Sequence, residues 1–199
     1  DIGQKLTELN QQLEDWIKNQ REDYEQQRQQ YEDALNRVGM EVRLRIPFNA
    51  QHPAESYDAL VETVRGHLSR YFDDLQRHLN ALLQKIRYAT LVQHVDLSAV
   101  EKQARSILTE IEQLQEKLTP DLLRDKVRAE SEVLQPLHNI SEKAHMMDIE
   151  TQRAFQKRAP DASEAELLEL LQTTIANGEV DLYSLIMYEL DQGLSLIHI

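Results

Sequence analysis

The 199 residues carry 22 basic and 35 acidic side chains for a net charge of −13, with 41% hydrophobic and 6% aromatic residues, five Gly, five Pro and no Cys. The absence of cysteine excludes disulfides, thiolate metal sites and a Cys nucleophile, and the acidic balance argues against a general phosphate-backbone binder. So few Gly and Pro cannot punctuate a sheet-rich domain, whereas twenty Gln with abundant Leu, Glu, Arg and Ala favour helix, because straight-chain side chains lose little rotamer freedom there.

The expected fold is therefore all-α: long helices with a coiled-coil-like N-terminal arm and a helical bundle, plus one isolated short β-strand near residues 41–46. Residues 1–40 read as the arm. A seven-residue spacing runs through Leu6, Asn10, Leu13, Ile17, Gln20, Tyr24, Gln27, Tyr31, Ala34 and Val38. Gln20 and Gln27 weaken that seam, and Gly39 ends the helix. Residues 41–52 form a strand and connector, because Val42-Arg43-Leu44-Arg45-Ile46 alternates apolar with cationic before Pro47-Phe48. A single strand cannot satisfy its own backbone groups, so its partner is expected from another protein or from sequence beyond this chain.

Residues 53–160 read as a bundle of long helices. Apolar residues from Tyr57 to Ile86 keep three-and-four spacing over more than thirty positions. Ser98 with Glu101 predicts a capping box opening the next helix. Thr119 before Pro120 predicts a cap followed by proline at the first helical position. The helix after it runs toward Ala159, kinked or split at Pro136, and Pro160 stops it. Residues 161–193 read as an acidic helical hairpin with Ser163 and Glu166 as a second capping box, Asn177-Gly178 as its turn, Asp181 as the cap of the last helix and Gly193 as its end. This stretch, with the tail to Ile199, holds eight acids and no Lys or Arg, leaving −5 for residues 1–160.

The chain begins at Asp1 without an initiator Met, and Leu194-Ser195-Leu196-Ile197-His198-Ile199 matches a translated sequencing adapter. Residues 194–199 are thus expected to be a non-native tail and the chain a fragment of an environmental gene. No apolar run of 18 residues occurs and Asp1 to Asn10 is polar, so no membrane span or signal peptide is expected, and the location expected is cytoplasmic.

Counting excludes nucleotide and nucleophile motifs. Gly3, Gly39, Gly66, Gly178 and Gly193 cannot form a Walker A loop, a dinucleotide-binding turn or a nucleophile elbow. Glu142 and His145 lie one helical turn apart, but a di-metal bundle needs two such pairs and further Glu residues. Asp74 and His78 read as a surface pair, Met146-Met147 as core. No catalytic residue, cofactor or metal is expected. Two surfaces remain. Glu164, Glu169, Glu179, Asp181 and Glu189 are the candidate protein-partner surface, since an acidic unit steers toward a basic partner. Arg37, Arg43 and Arg45, with Tyr31 and Phe48 near, are a weaker candidate nucleic-acid patch, for which edge-strand protection is the competing explanation.

The segment from Val42 to Phe48 leading into the helix from about Tyr57 resembles helical regions beside the ATPase core of large prokaryotic P-loop proteins, phage-defence ATPases of the BREX type first among them. The resemblance covers roughly half the chain and implies that ATP hydrolysis would belong to sequence outside it. The expected function is a non-catalytic helical scaffold or interaction region of a larger intracellular protein. The alternatives are a helical accessory region of a DNA-processing enzyme and a stand-alone acidic helical adaptor.

Overall fold

The computed structural model describes residues 1–156 and 162–197, with side chains placed for 1–154 and 162–191. The described residues are predominantly helical: α1 (Ile2–Arg37), α2 (Pro53–Leu91), α3 (Ser98–Glu116), α4 (Pro120–Arg124), α5 (Lys126–Ala129), a π-helical turn (Glu130–Leu134), α6 (Gln135–Gln156), α7 (Glu164–Asn177) and α8 (Val180–Ile197). No strand occurs among them, and no helix among them is long and apolar enough to cross a membrane. The chain forms two compact units, one from residues 1–71 with 113–139, the other from the described residues of 72–112 and 140–199.

In the first unit, Gly39 ends α1 as its sequence implies. It adopts φ +89°, its N–H donates to the Asn36 carbonyl at 3.0 Å, and the Met40 N–H donates to the Leu35 carbonyl at 3.2 Å. A left-handed residue at this place lets two late carbonyls find donors, and glycine alone reaches it without steric cost.

The expected strand is corrected here. Val42 and Leu44 are buried while Arg43 and Arg45 are exposed, so the alternation survives, but the segment pairs with no other strand. Its main-chain groups bond side chains along one row of α1. The Val42 N–H donates to Asn36 Oδ1 at 2.6 Å, the Leu44 N–H to Glu32 Oε2 at 2.9 Å, Arg28 Nη1 to the Leu44 carbonyl at 3.4 Å, and the Tyr24 hydroxyl to the Ile46 carbonyl. The row repeats every four residues of helix, about 6 Å, which nearly matches the advance of about 6.6 Å over two residues of extended chain. A helix therefore stands in for the neighbouring strand.

Farther along, Thr119 caps α4 as expected, its hydroxyl accepting from the Leu122 N–H at 3.3 Å with Pro120 at the first helical position. The single long helix expected toward Ala159 is broken earlier than Pro136. Asp125 leaves helical geometry and caps α5, accepting from the Val127 and Arg128 N–H groups at 3.1 and 3.2 Å. Pro136 does not split α6 but comes just after the π-helical turn, in which the Gln135 N–H donates to the Glu130 carbonyl five residues back. That wider turn precedes a residue that lacks an N–H and whose ring crowds the carbonyl four back. The stop expected at Pro160 lies outside the described residues.

In the second unit, α3 opens at Ser98 itself. Asp96 rather than Ser98 supplies the oxygen, accepting from the Ser98 N–H at 3.0 Å, and Glu101 pairs with Arg105 at 3.1 Å, so the expected capping box does not form. The Ser163 cap does form, accepting from the Glu166 N–H at 3.3 Å, and Gly178 closes α7 at φ +68°. α8 begins at Val180, ahead of the expected Asp181 cap, with the Tyr183 N–H bonded to the Glu179 carbonyl. It also continues past Gly193 to Ile197. Gly193 is not among the positive-φ glycines, so nothing in its backbone breaks the helix. The core around the hairpin joins Tyr88 and Val92 of α2 to Leu167, Leu182 and Ile186.

Candidate functional site

α1 presents different chemistry along its length. Its first half is exposed, and Ile2, Leu6, Leu9, Leu13 and Trp16 are 77%, 56%, 59%, 54% and 49% accessible. Their spacing of four, three, four and three places all five on one stripe. Leu6 and Leu13 belong to the expected seam; Ile2, Leu9 and Trp16 were missed because that seam passed through Asn10 and Ile17. Five apolar residues at regular spacing were the available signal. Elsewhere on this half the surface is polar, with Glu8, Glu14, Asp15 and Lys18 off the stripe.

The second half is buried polar machinery. Gln27 is fully buried; its Nε2 donates to the Leu123 and Arg124 carbonyls at 3.1 and 2.8 Å, and its Oε1 accepts from Arg124 Nη1 at 3.0 Å. The Tyr31 hydroxyl also donates to the Leu123 carbonyl, and Gln30 Nε2 to the Lys126 carbonyl at 3.1 Å. The Leu123 and Arg124 carbonyls belong to the break at Asp125, where helical partners are lost, while the Lys126 carbonyl also accepts from the Glu130 N–H. Gln27 thus closes a break instead of weakening a seam.

Asp23 gathers the neighbouring charges. The Tyr57 hydroxyl donates to its Oδ2 at 2.5 Å, Lys126 Nζ pairs with Oδ1, and Arg124 lies 4.0 Å away and 3.3 Å over the Tyr57 ring. Burial pushes the Asp23 carboxyl up, but the bonds from Lys126 and Tyr57 and the fields of Lys126 and Arg124 outweigh it and hold the group below its ordinary value. A depressed folded value stabilises the protein above the unfolded value and loses that contribution as pH falls through the folded one. The difference in urea midpoint between the native chain and Asp23→Asn should therefore be present at neutral pH and shrink as pH drops below about 4. A difference unchanged down to pH 2 would show that this ion cluster does not contribute.

Arg37, Arg43 and Arg45 are all exposed. The aromatics expected beside them are engaged. Tyr31 is fully buried, and Phe48 packs against Tyr24 at 5.5 Å and beneath Arg21 at 5.3 Å. Of the acidic candidates, Glu164, Glu169 and Asp181 are exposed, whereas Glu179 pairs with Arg87 and Glu189 faces the Tyr88 hydroxyl. Burial, with Glu189 adding to it, pushes the Tyr88 hydroxyl up. The five acids therefore do not share one free face. Asp74 pairs with Arg77, and His78 Nε2 instead lies 2.7 and 2.8 Å from the two Asp148 carboxylate oxygens. Met147 is buried and Met146 exposed; Glu142 and His145 are exposed, and no group of three potential metal ligands occurs among the described residues.

No family model matches the chain, and no curated protein or solved structure matches it. The stripe on α1 is the feature of this surface that the packing of the first unit leaves unexplained.

Proposed function

We propose that this chain is a non-catalytic helical interaction region of a larger intracellular prokaryotic protein, acting in the cytoplasm through the exposed stripe of α1. The observation that carries the reading is the stripe itself. Large apolar side chains exposed at heptad spacing mark a helix-in-groove or coiled-coil contact, while the second half of α1 is tied to the first unit by Gln27, Gln30 and Tyr31. One half of the helix is anchored and the other offered. The resemblance of the Val42–Phe48 region extends the proposal to attachment beside a P-loop NTPase, whose hydrolysis would be relayed through the helices.

The test is photo-crosslinking from benzoylphenylalanine at Leu9 on the stripe or at Gln11 on the opposite side of the helix, in cells carrying the gene. A discrete adduct from position 9 and none from position 11 is expected. Equal yields at both, or none at either, would overturn the reading.

The exposure of Arg37, Arg43 and Arg45 favours a second reading, an accessory region of a DNA-processing enzyme. That reading requires salt-sensitive DNA binding lost in Arg43→Glu with Arg45→Glu, and no binding at low salt removes it.

A further inference from the structure

We infer that the occupant of the α1 stripe is a second copy of this chain, bound as a short antiparallel coiled coil centred on Gln11; the inference rests on the interaction reading above and names its partner. Four observations converge on it.

The first is spacing. Leu6, Leu9, Leu13 and Trp16 are separated by steps of three, four and three, a pattern that reads the same in both directions. Two copies laid antiparallel place Leu6 opposite Trp16 and Leu9 opposite Leu13, so each layer joins an a position to a d position as such seams require. The alignment sets the bulky indole against a leucine; a parallel pair would set it against a second indole.

Charge gives the second. The positions flanking the stripe are Gly3, Asn10 and Ile17 on one side and Lys5, Gln12 and Asn19 on the other, with a single charge among them. Glu8, Glu14 and Asp15 point away from the seam. A chain of net charge −13 resists its own approach at most surfaces, whereas along the stripe itself the acids lie off the seam. An antiparallel pair also keeps the anchored halves of the two α1 helices at opposite ends, roughly 27 Å apart measured from Gln20 to Gln20.

The third is fit at the end of the stripe. The same alignment brings Ile2 of the second copy over Gln20, beside a hollow of about 390 Å³ lined by Trp16, Gln20, Pro53, Ala54, Tyr57, Asp58 and Arg124. A strongly exposed apolar residue of one copy thus meets a recess of the other that Trp16, Pro53, Ala54 and Tyr57 help to line.

The fourth is area. Each of the five side chains has on the order of 100 Å² left to bury, so two copies would remove roughly 1,000 Å² from water, the lower bound of a specific interface.

Light scattering after size exclusion, at tens of micromolar, should give twice the 23.2 kDa of the chain. Leu9→Glu with Leu13→Glu should weaken association roughly a hundredfold or more and return the monomer mass, with helical content unchanged because both positions are exposed. Orientation can be read from single cysteines, since the chain has none of its own. Gln12→Cys should bridge to itself across the centre of the pair. Lys5→Cys should not, because the two copies of residue 5 lie roughly 18 Å apart along the axis. Equal bridging at both positions would overturn the antiparallel seam. A monomer at all concentrations would overturn the second copy as occupant, while a crosslink from Leu9 to a different protein would leave the interaction reading standing and this one refuted.

Discussion

Replacing Gln27 with leucine should destabilise the first unit by about 1–3 kcal/mol, although leucine is the better residue at a coiled-coil d position. The sign separates two accounts of α1. If Gln27 only weakened a seam, the leucine would raise the urea midpoint. In the structure its amide is fully buried between the Leu123 and Arg124 carbonyls and the Arg124 guanidinium. The leucine would leave the Arg124 carbonyl without this donor, while the Leu123 carbonyl keeps the Tyr31 hydroxyl and the partly exposed Arg124 guanidinium keeps Asp23 nearby; one polar group left unmet away from water costs about 1–3 kcal/mol. Gln29, exposed one residue beyond the ion-paired Arg28, is the control, and its replacement by leucine should shift the midpoint by less than about 0.5 kcal/mol.

A second large effect is expected at Leu182, which is fully buried between the α7–α8 hairpin and the end of α2. Leu182→Ala removes the centre of a small cluster and should cost about 2–5 kcal/mol. Hydrogen exchange should then show protection lost through α7, α8 and the stretch of α2 around Tyr88 and Val92. The polar ties there, Glu179 to Arg87 and the Leu182 N–H to Gln84 Oε1 at 3.1 Å, bring the same surfaces together but bury little apolar area. Leu168→Ala, at a position 46% exposed, should leave protection as it was. Protection retained in Leu182→Ala would mean that the polar ties, not the cluster, hold the hairpin.

The residues that were legible in the sequence act on their near neighbours. Gly39, Thr119, Ser163 and Gly178 each satisfy backbone groups within a few positions, so their chemistry is written locally. Asp125 belongs to that class and was passed over, since an aspartate between Arg124 and Lys126 in an otherwise helical pattern looks like one more surface charge. What could not be read is the chemistry that closes over long separations. Glu32, Arg28 and Tyr24 meet the Val42–Ile46 segment, and Gln27 and Tyr31 meet Leu123 from more than ninety residues away. A strand pattern records that a segment is extended with one face buried; it does not record whether a strand or a helix supplies the hydrogen bonds. The candidate site shows the same division. Its leucines were visible, but two overlapping heptad registers that share Leu6 and Leu13 run through residues 6–20, and the one followed in the sequence passes through Asn10 and Ile17 in place of Leu9 and Trp16.

The row on α1 that satisfies residues 42–46 makes this segment sensitive to phase in a way a sheet is not. A strand bonds its neighbour through main-chain groups that every residue owns, so the pairing tolerates most substitutions and can slip. Here the bonds come from Tyr24, Arg28, Glu32 and Asn36 in turn, and each additional helical residue rotates the rest of the helix by about 100°. A single residue inserted near Gln30 would swing part of the row off the segment and leave its main chain facing nothing. The same insertion before Trp16 would only turn the exposed stripe relative to the anchored half. Length changes in this helix are therefore filtered by position, and the arm is the part free to vary.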